Sequence, residues 1–157
     1  VGAGPFAAEN AMDAAWNEQL RKAGGEYGAA TGRPRRVGPF DCVASRYGLA
    51  CQGADKIALT KLDVLSGMKE IPVITGYRLD GKELSCFDPL ADLDRVEPVV
   101  TMLPGWNKDI SGCHSWDELP KAAKQYVAFL EQQLAHEIQF VSTGAEREKF
   151  VLKGEWL

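Results

Sequence analysis

GEYGAATGRPRR, residues 25–36, brings glycines, a threonine and three arginines together in twelve residues of an otherwise acidic chain. Glycine lets a backbone approach a ligand closely, and guanidinium groups match carboxylate or phosphate oxygens through two parallel hydrogen bonds. A solvated surface loop can have the same composition, so the segment alone leaves both interpretations open. We interpret it as a candidate anion-binding loop and call residues 25–36 the arginine loop.

Length and charge narrow the function classes. The 157 residues match one domain, and 18 basic against 22 acidic residues give a net charge of −4. This balance argues against nucleic acid or an anionic membrane as a partner. Because three of the eight arginines lie in the arginine loop, positive charge is local and suits a small anionic ligand. No apolar run reaches the length of a membrane span, and we expect a cytoplasmic protein.

The cysteines and histidines show no metal-ligand spacing. We predict scattered free thiols at Cys42, Cys51, Cys86 and Cys113, and no metal role for His114 or His136. His136 is expected to interact with carbonyl groups at a helix end. The chain opens in a Gly-rich, strand-like run, VGAGPF at residues 1–6, which we interpret as a beginning cut from a longer protein.

Apolar periodicity predicts three helices. The first covers Ala8–Ala23 and ends at Gly24-Gly25, with Met12 and Trp16 as core residues. The second covers Cys42–Cys51 after Asp41 as N-cap and ends at Gly53; it is predicted to bury Val43, Tyr47 and Ala50. The third runs from Pro120 to about His136, and its predicted buried stripe is Ala123, Tyr126, Val127, Leu130 and Leu134.

Short apolar runs between these helices predict strands. They are Lys56–Thr60, a hairpin of Ile71–Arg78 and Glu83–Phe87 around Asp80-Gly81, Val96–Leu103, Ile138–Val141 and Phe150–Leu152. The alternation of helix and strand predicts an α/β fold, a partial and mostly parallel sheet with flanking helices plus an antiparallel hairpin.

Two polar turns follow predicted strands, where ligands bind in open α/β sheets. Lys61-Leu62-Asp63 follows the strand at Lys56–Thr60, and Ser142-Thr143-Gly144 follows the one at Ile138–Val141. A carboxylate at Asp63 could accept hydrogen bonds from the N1–H and the 2-amino group of guanine, donors that adenine lacks. A salt-bridged Lys and Asp in an ordinary turn would have the same sequence.

Five segments together resemble the carboxyl-terminal part of the adenylosuccinate synthetase family. They are VGAGPF (1–6), EYGAATGRPRR (26–36), TKLDVL (60–65), LPGW (103–106) and STG (142–144). The resemblance implies that the chain is the carboxyl-terminal portion, residues 1–157, of a larger P-loop-like α/β enzyme. That family joins IMP and L-aspartate with GTP and magnesium, phosphorylating the purine 6-oxygen before the aspartate amine displaces phosphate. It also implies a homodimer.

The resemblance implies a role for each matching residue. Val1 would contact the IMP ribose, Arg33 would also meet IMP, and Arg35 would lie near the GTP phosphates. The segment expected to hold L-aspartate consists of Ala30, Thr31, Gly32, Arg33, Pro34 and Arg35. The residues expected to bind the guanine of GTP are Lys61, Leu62, Asp63, Ser142, Thr143 and Gly144.

The chain also departs from the family pattern. Ala30 stands where the family usually has threonine, and Phe40 stands close to a common tryptophan. The phosphate-binding GDEGKGK segment with the catalytic aspartate, and the segment with the catalytic histidine, do not occur. We therefore expect no catalytic residue and no magnesium ligand in this chain, and no activity of the chain alone.

Two other functions stay open. One is a non-catalytic nucleotide- or anion-binding module, which would need the same turns. The other is a related synthetase acting on a different purine monophosphate, which the alanine at Ala30 slightly favours.

Overall fold

The computed structural model describes residues 4–84, 86–87 and 92–154. The helices of this part are α1 (Ala14–Gly24), α2 (Cys42–Gln52) and α3 (Lys121–Leu134). Its strands are β1 (Phe40–Asp41), β2 (Lys56–Leu59), β3 (Glu70–Leu79), β4 (Lys82–Leu84), β5 (Glu97–Pro104), β6 (Glu137–Ser142) and β7 (Phe150–Leu152). Short 3₁₀ helices cover Ala7–Asn10, Leu62–Leu65 and Trp116–Glu118. The predicted α/β class is confirmed.

The chain forms two compact units. One contains the residues up to Gly48 together with Pro72–Met102, and the other contains Leu49–Ile71 and Leu103–Leu157. One sheet is mixed. In it β3 pairs in parallel with β1 and antiparallel with β4, and β5 also pairs with β3. The second sheet has the order β2-β6-β7, and its β2–β6 pair is parallel. No helix in the described ranges has the length and apolar character needed to cross a membrane.

The predicted first helix is wrong in its first two turns. Ala7–Asn10 is a 3₁₀ helix, and α1 begins only after Asp13, whose carboxylate accepts a hydrogen bond from the Trp16 amide at 2.8 Å. This N-cap satisfies a free amide at the start of α1 and so fixes where the helix begins. The predicted end is confirmed, since Gly25 adopts a left-handed conformation with φ 61°. Met12 and Trp16 are only half-buried rather than core residues.

Helix α2 begins as predicted. Asp41 Oδ1 accepts hydrogen bonds from the amides of Val43 and Ala44 at 2.9 and 3.0 Å. Its other oxygen accepts from the Tyr77 hydroxyl, and burial together with this bond raises the tyrosine pKa. Val43 is buried as predicted, but the same prediction is wrong for two further residues, because Tyr47 and Ala50 are exposed.

The hairpin and the third helix follow the sequence closely. Asp80 and Gly81 both have positive φ, 51° and 77°, as a tight two-residue turn requires. Strand β4 is shorter than predicted and ends at Leu84. All five predicted stripe residues of α3 are buried, and His136 Nδ1 lies 2.8 Å from the carbonyl oxygen of Leu134, the predicted helix-end contact. The four cysteines are free thiols.

Candidate functional site

The arginine loop closes on itself through its backbone. The Gly28 amide donates to the Arg33 carbonyl, and the Gly32 amide donates to the Gly28 carbonyl, both at 2.8 Å. Tyr27 and Pro34 form an antiparallel bridge that marks the base of the loop. Gly32 has φ 65°, a conformation that side chains rarely adopt. The sequence therefore folds here into a tight, surface-exposed turn.

The predicted aspartate-binding residues are all exposed: Ala30, Thr31, Gly32, Arg33, Pro34 and Arg35. Thr31 Oγ1 accepts a hydrogen bond of 3.3 Å from the Arg33 amide, which orders the two residues relative to each other. In the described part of the chain the Arg33 guanidinium makes no hydrogen bond or ion pair. Its donors are free for an anionic ligand.

The other two arginines of the loop are held by carboxylates. Arg35 pairs with Glu26 at 3.0 Å, and the arginine side chain keeps 56% of its surface exposed. Arg36 donates to Glu9 at 2.5 Å and to the Gly4 carbonyl at 2.6 Å, and its guanidinium lies over the Phe6 ring at 5.3 Å. Arg36 thus ties the loop to the start of the chain, whereas Arg35 remains open to solvent on one side.

Side chains of helix α1 hydrogen-bond to the arginine loop and hold it in place, which was not predicted from the sequence. Arg21 donates from Nε to the Arg35 carbonyl at 2.9 Å and pairs with Glu18. Tyr27 donates to the same carboxylate at 3.3 Å. The hydrogen bond from Arg21 is the main cause that lowers the pKa of Glu18. A glutamate three residues before an arginine on one helix face was the available signal.

The second candidate region lies at the carboxyl ends of β2 and β6, and we call Lys61–Asp63 and Ser142–Gly144 the strand-end turns. The two strands pair in parallel as far as Leu59 and Val141, with a register shift between Ile57 and Ala58. Because both strands end at the same level, the turns that follow them meet at one edge of the sheet. The predicted position of each turn at the end of a strand is confirmed, and the structure adds that the two strands are neighbours.

Hydrogen bonds join the two strand-end turns. The Lys61 amide donates to Ser142 Oγ at 3.4 Å, and that hydroxyl donates to the Gly144 carbonyl at 3.0 Å. Lys61 has φ 61° and ψ 34°, the left-handed conformation that is costly for a residue with a side chain. A Cβ on Gly144 would lie 2.3 Å from Lys149 Cδ, so any other residue there would displace the Lys149 side chain. The two turns are therefore connected to each other through Ser142.

Asp63 carries an unsatisfied buried oxygen. The residue is half-buried within the 3₁₀ helix Leu62–Leu65, and its Oδ1 atom is buried with no hydrogen-bond partner among the described residues. Leaving a buried acceptor unpaired costs about 1–3 kcal/mol. Such a group at the end of a parallel strand is a natural acceptor for donors from a bound molecule.

Two of the residues predicted to bind guanine are buried inside the fold. Leu62 is 1% exposed and Thr143 is 0% exposed. The Thr143 hydroxyl donates to the Cys113 carbonyl at 3.4 Å, and its amide donates to the Lys149 carbonyl at 2.9 Å. Leu62 and Thr143 thus anchor the turns, and their predicted contact with the base stays a prediction. The surface open to a ligand is that of Lys61, Asp63, Ser142 and Gly144.

The remaining predicted site residue, Val1, lies outside the described residues. In residues 4–84, 86–87 and 92–154, no three His, Cys, Asp or Glu side chains converge to hold a metal ion.

Comparison with known proteins identifies close relatives. The sequence profile of the family described as adenylosuccinate synthetase matches residues 1–151. An adenylosuccinate synthetase of Pelobacter propionicus is 47% identical over 153 residues, which cover 97% of this chain and 35% of that protein. One of Candida tropicalis is 44% identical, covering 98% of this chain and 36% of that protein.

A solved structure gives the same result for the fold. The structure of fully ligated adenylosuccinate synthetase from Plasmodium falciparum matches with a TM-score of 0.89 and 36% identity. The match covers 98% of this chain and 37% of that one. The chain thus spans about a third of the length of the relatives it matches.

Proposed function

The chain belongs to the adenylosuccinate synthetase family, and we propose that it is the carboxyl-terminal portion of a GTP-dependent ligase that joins IMP and L-aspartate. The reaction forms a carbon–nitrogen bond in the synthesis of AMP. In this proposal the chain supplies two binding regions, the arginine loop for L-aspartate and the strand-end turns for the guanine of GTP.

The unpaired Oδ1 of Asp63 is the observation that carries the proposal. Guanine presents an N1–H and a 2-amino group on one edge, and a carboxylate can accept from both. Adenine offers no such pair of donors, so binding it would leave the carboxylate unsatisfied. Lys61 is adjacent to Asp63, and its aliphatic stem can lie along the face of a base.

The arginine loop supports the second half of the proposal. L-aspartate carries two carboxylates, and the Arg33 guanidinium is a fork of donors without a partner in the described residues. Thr31 adds an exposed hydroxyl beside it. Arg35, which pairs with Glu26 on one side, keeps donors for a phosphate on its exposed side. We propose that Arg33 also contacts IMP and that Val1 contacts the IMP ribose.

The catalytic groups and the magnesium ligands belong to the rest of the enzyme in this proposal. The family resemblance supports GTP and Mg²⁺ as requirements of the full-length protein, and a cytoplasmic homodimer as its state. When bound, magnesium would neutralise charge on the transferring phosphoryl group. This chain contributes binding and orientation of the substrates.

The test of the guanine assignment is Asp63→Asn in the full-length enzyme. Loss of the charged acceptor should weaken GTP by about 1.5–3 kcal/mol. The new amide donates from its NH₂ group, which favours a base with a carbonyl at that edge. The kcat/KM for xanthosine triphosphate should therefore rise relative to that for GTP. Steady-state kinetics with both nucleotides measures the change.

Asp109→Asn is the matched control. Asp109 is an exposed aspartate of the same unit whose carboxylate accepts hydrogen bonds from Ser111 at 2.9 Å. This variant should keep the nucleotide preference of the parent enzyme. Unchanged use of GTP by the Asp63→Asn enzyme would overturn the assignment.

The isolated 157-residue chain tests the division of roles. With IMP, GTP, magnesium and L-aspartate it should form no adenylosuccinate, because phosphoryl transfer depends on positioned metal and charge. Binding should also be weak, since exposed loops must be ordered when a ligand binds. Turnover above a no-protein control, with host enzyme excluded, would contradict the assignment of only binding roles to these residues.

A further inference from the structure

The segment Leu103–Trp106 is held against the residues that follow Asp63. Trp106 is 4% exposed, and its indole N–H donates to Ser66 Oγ at 3.2 Å. The indole and the Tyr126 ring of α3 pack in a T-shaped arrangement, with ring centroids 6.1 Å apart. The tryptophan thus packs against a buried tyrosine of α3 and is hydrogen-bonded to Ser66.

Backbone contacts make this connection tight. The Gly67 amide donates to the Trp106 carbonyl at 2.8 Å, and the Gly105 amide donates to the Lys69 carbonyl at 2.9 Å. A Cβ on Gly105 would lie 1.9 Å from the Met68 carbonyl oxygen. The two backbones approach each other so closely in forming these bonds that no side chain fits at residue 105, and only glycine allows this approach.

Ser66 connects Asp63 to these contacts. The Ser66 amide donates to the Asp63 carbonyl at 3.0 Å and ends the 3₁₀ helix that carries the aspartate. Ser66 thus links the two residues, because its hydroxyl bonds to Trp106 and its amide bonds to the backbone of Asp63. Ser66 is therefore bonded to the backbone of the short helix from which the Asp63 side chain projects.

We propose that Trp106 is a positioning residue that fixes the Asp63 carboxylate through Ser66 and so sets discrimination between guanine and bases lacking the 2-amino group. Two hydrogen bonds to one edge of a base require placement within a fraction of an ångström. A single hydrogen bond tolerates more displacement. Loss of positioning therefore reduces selectivity for the base more than it reduces binding of the triphosphate. The inference rests on the proposed recognition of guanine by Asp63.

Trp106→Phe and Ser66→Ala in the full-length enzyme test this inference. Each removes one partner of the indole–hydroxyl bond and keeps most of the surrounding packing. The readout is kcat/KM for GTP divided by that for inosine triphosphate, which has the N1–H but no 2-amino group. We expect this ratio to fall about three- to tenfold in both variants, the scale of one hydrogen bond. KM for IMP and for L-aspartate should stay unchanged.

Trp116→Phe is the control, since Trp116 is a half-buried tryptophan of the same unit whose ring lies 5.6 Å from Lys153 Nζ. It should leave the nucleotide ratio unaltered. The double variant Trp106→Phe/Ser66→Ala should be no worse than either single variant if both act through the same bond. A purely structural role would instead lower activity with both nucleotides equally.

Asp63→Asn, measured alongside, separates the two possible failures. If Asp63→Asn changes the ratio while Trp106→Phe and Ser66→Ala do not, the inference about Trp106 is overturned and the proposed function stands. If Asp63→Asn itself leaves the ratio unchanged, the proposed recognition of guanine fails. Should Trp106→Phe not fold, Ser66→Ala tests the same bond with a smaller change to the core.

Discussion

The arginine loop and the strand-end turns differ in how far their candidate ligand-binding residues are buried. Every predicted ligand-binding residue of the described loop is exposed, and the loop is closed by hydrogen bonds between its own backbone groups. The strand-end turns continue from paired parallel strands and contain two residues, Leu62 and Thr143, that are fully buried. One region lies on the surface, and the other is a direct extension of the core.

This difference matches the ligands proposed for each region. Arginines can approach a carboxylate from several directions, because its two oxygens accept hydrogen bonds at several lone-pair sites. The edge of a purine is flat and rigid, and discrimination between bases requires donors and acceptors at fixed positions. We therefore expect substitutions in the turns to affect folding and binding together, and substitutions in the loop to affect binding alone.

The largest expected effect is that of Leu62→Ala. Removing a fully buried leucine should lower the free energy of unfolding by about 2–5 kcal/mol. Thr31→Ala in the loop should change it by no more than about 0.5 kcal/mol, because the side chain is exposed. Urea denaturation of each variant gives the two values. Equal losses would mean that the loop is as much a part of the core as the turn.

An intermediate effect is expected within the loop. Arg33→Lys keeps the charge but loses the planar fork, so substrate binding should weaken by about 1–3 kcal/mol. Arg36→Lys is the matched control, since Arg36 already pairs with Glu9 and the Gly4 carbonyl. Kinetics with L-aspartate and IMP measure both. If Arg36→Lys were as harmful as Arg33→Lys, the roles of the two arginines would be wrongly assigned.

The smallest effect concerns two carboxylates that lie near these regions. The pKa of Glu18, beside the loop, is lowered chiefly by the hydrogen bond from Arg21. The pKa of Glu118 is lowered chiefly by the His114 amide, which donates at 2.8 Å. Both lie below the unfolded value of about 4.3. Each contribution to stability is therefore present above that pH and is lost as pH falls through the folded pKa.

The pKa values of Glu18 and Glu118 should respond differently to salt. Raising ionic strength from about 0.1 M to about 1 M shortens the screening length from about 10 Å to about 3 Å. The pKa of Glu18 should then rise towards its ordinary value, because Arg21 and Lys22 carry the charges that lower it. Glu118 should change less, since its main donor is a neutral amide. An NMR titration at both salt concentrations checks this, and equal shifts would contradict the distinction.

Sequence succeeded where one local cause decides the structure. The stripe of α3 is buried because its apolar residues recur at helical spacing. Helix α2 starts at Cys42 because Asp41 can satisfy its free amides. The turn at Asp80-Gly81 follows from residues that tolerate positive φ. The strand-end turns could be located because polar residues follow apolar runs.

The predictions from sequence were wrong or incomplete where contacts between residues distant along the chain determine the structure. Tyr47 has helical spacing from Val43 yet is 40% exposed, with its ring 4.8 Å from that of Phe87. Burial of Leu62 and Thr143 depends on neighbours that no local pattern specifies. The hydrogen bond from Trp106 to Ser66 spans forty residues of sequence. For α1 a local signal existed in Asp13, and apolar periodicity outweighed it in the prediction.

The left-handed backbone of Lys61 has a consequence for protein engineering. Lys61 and Ala135 both have positive φ, 61° and 55°, and each would gain about 1 kcal/mol from glycine on conformational grounds. Ala135 only ends α3, so the exchange there should raise thermal stability at no functional cost. At Lys61 the same exchange would remove a side chain proposed to cover the guanine. A design protocol that optimises stability alone would accept both changes, and would thereby remove part of the proposed nucleotide site.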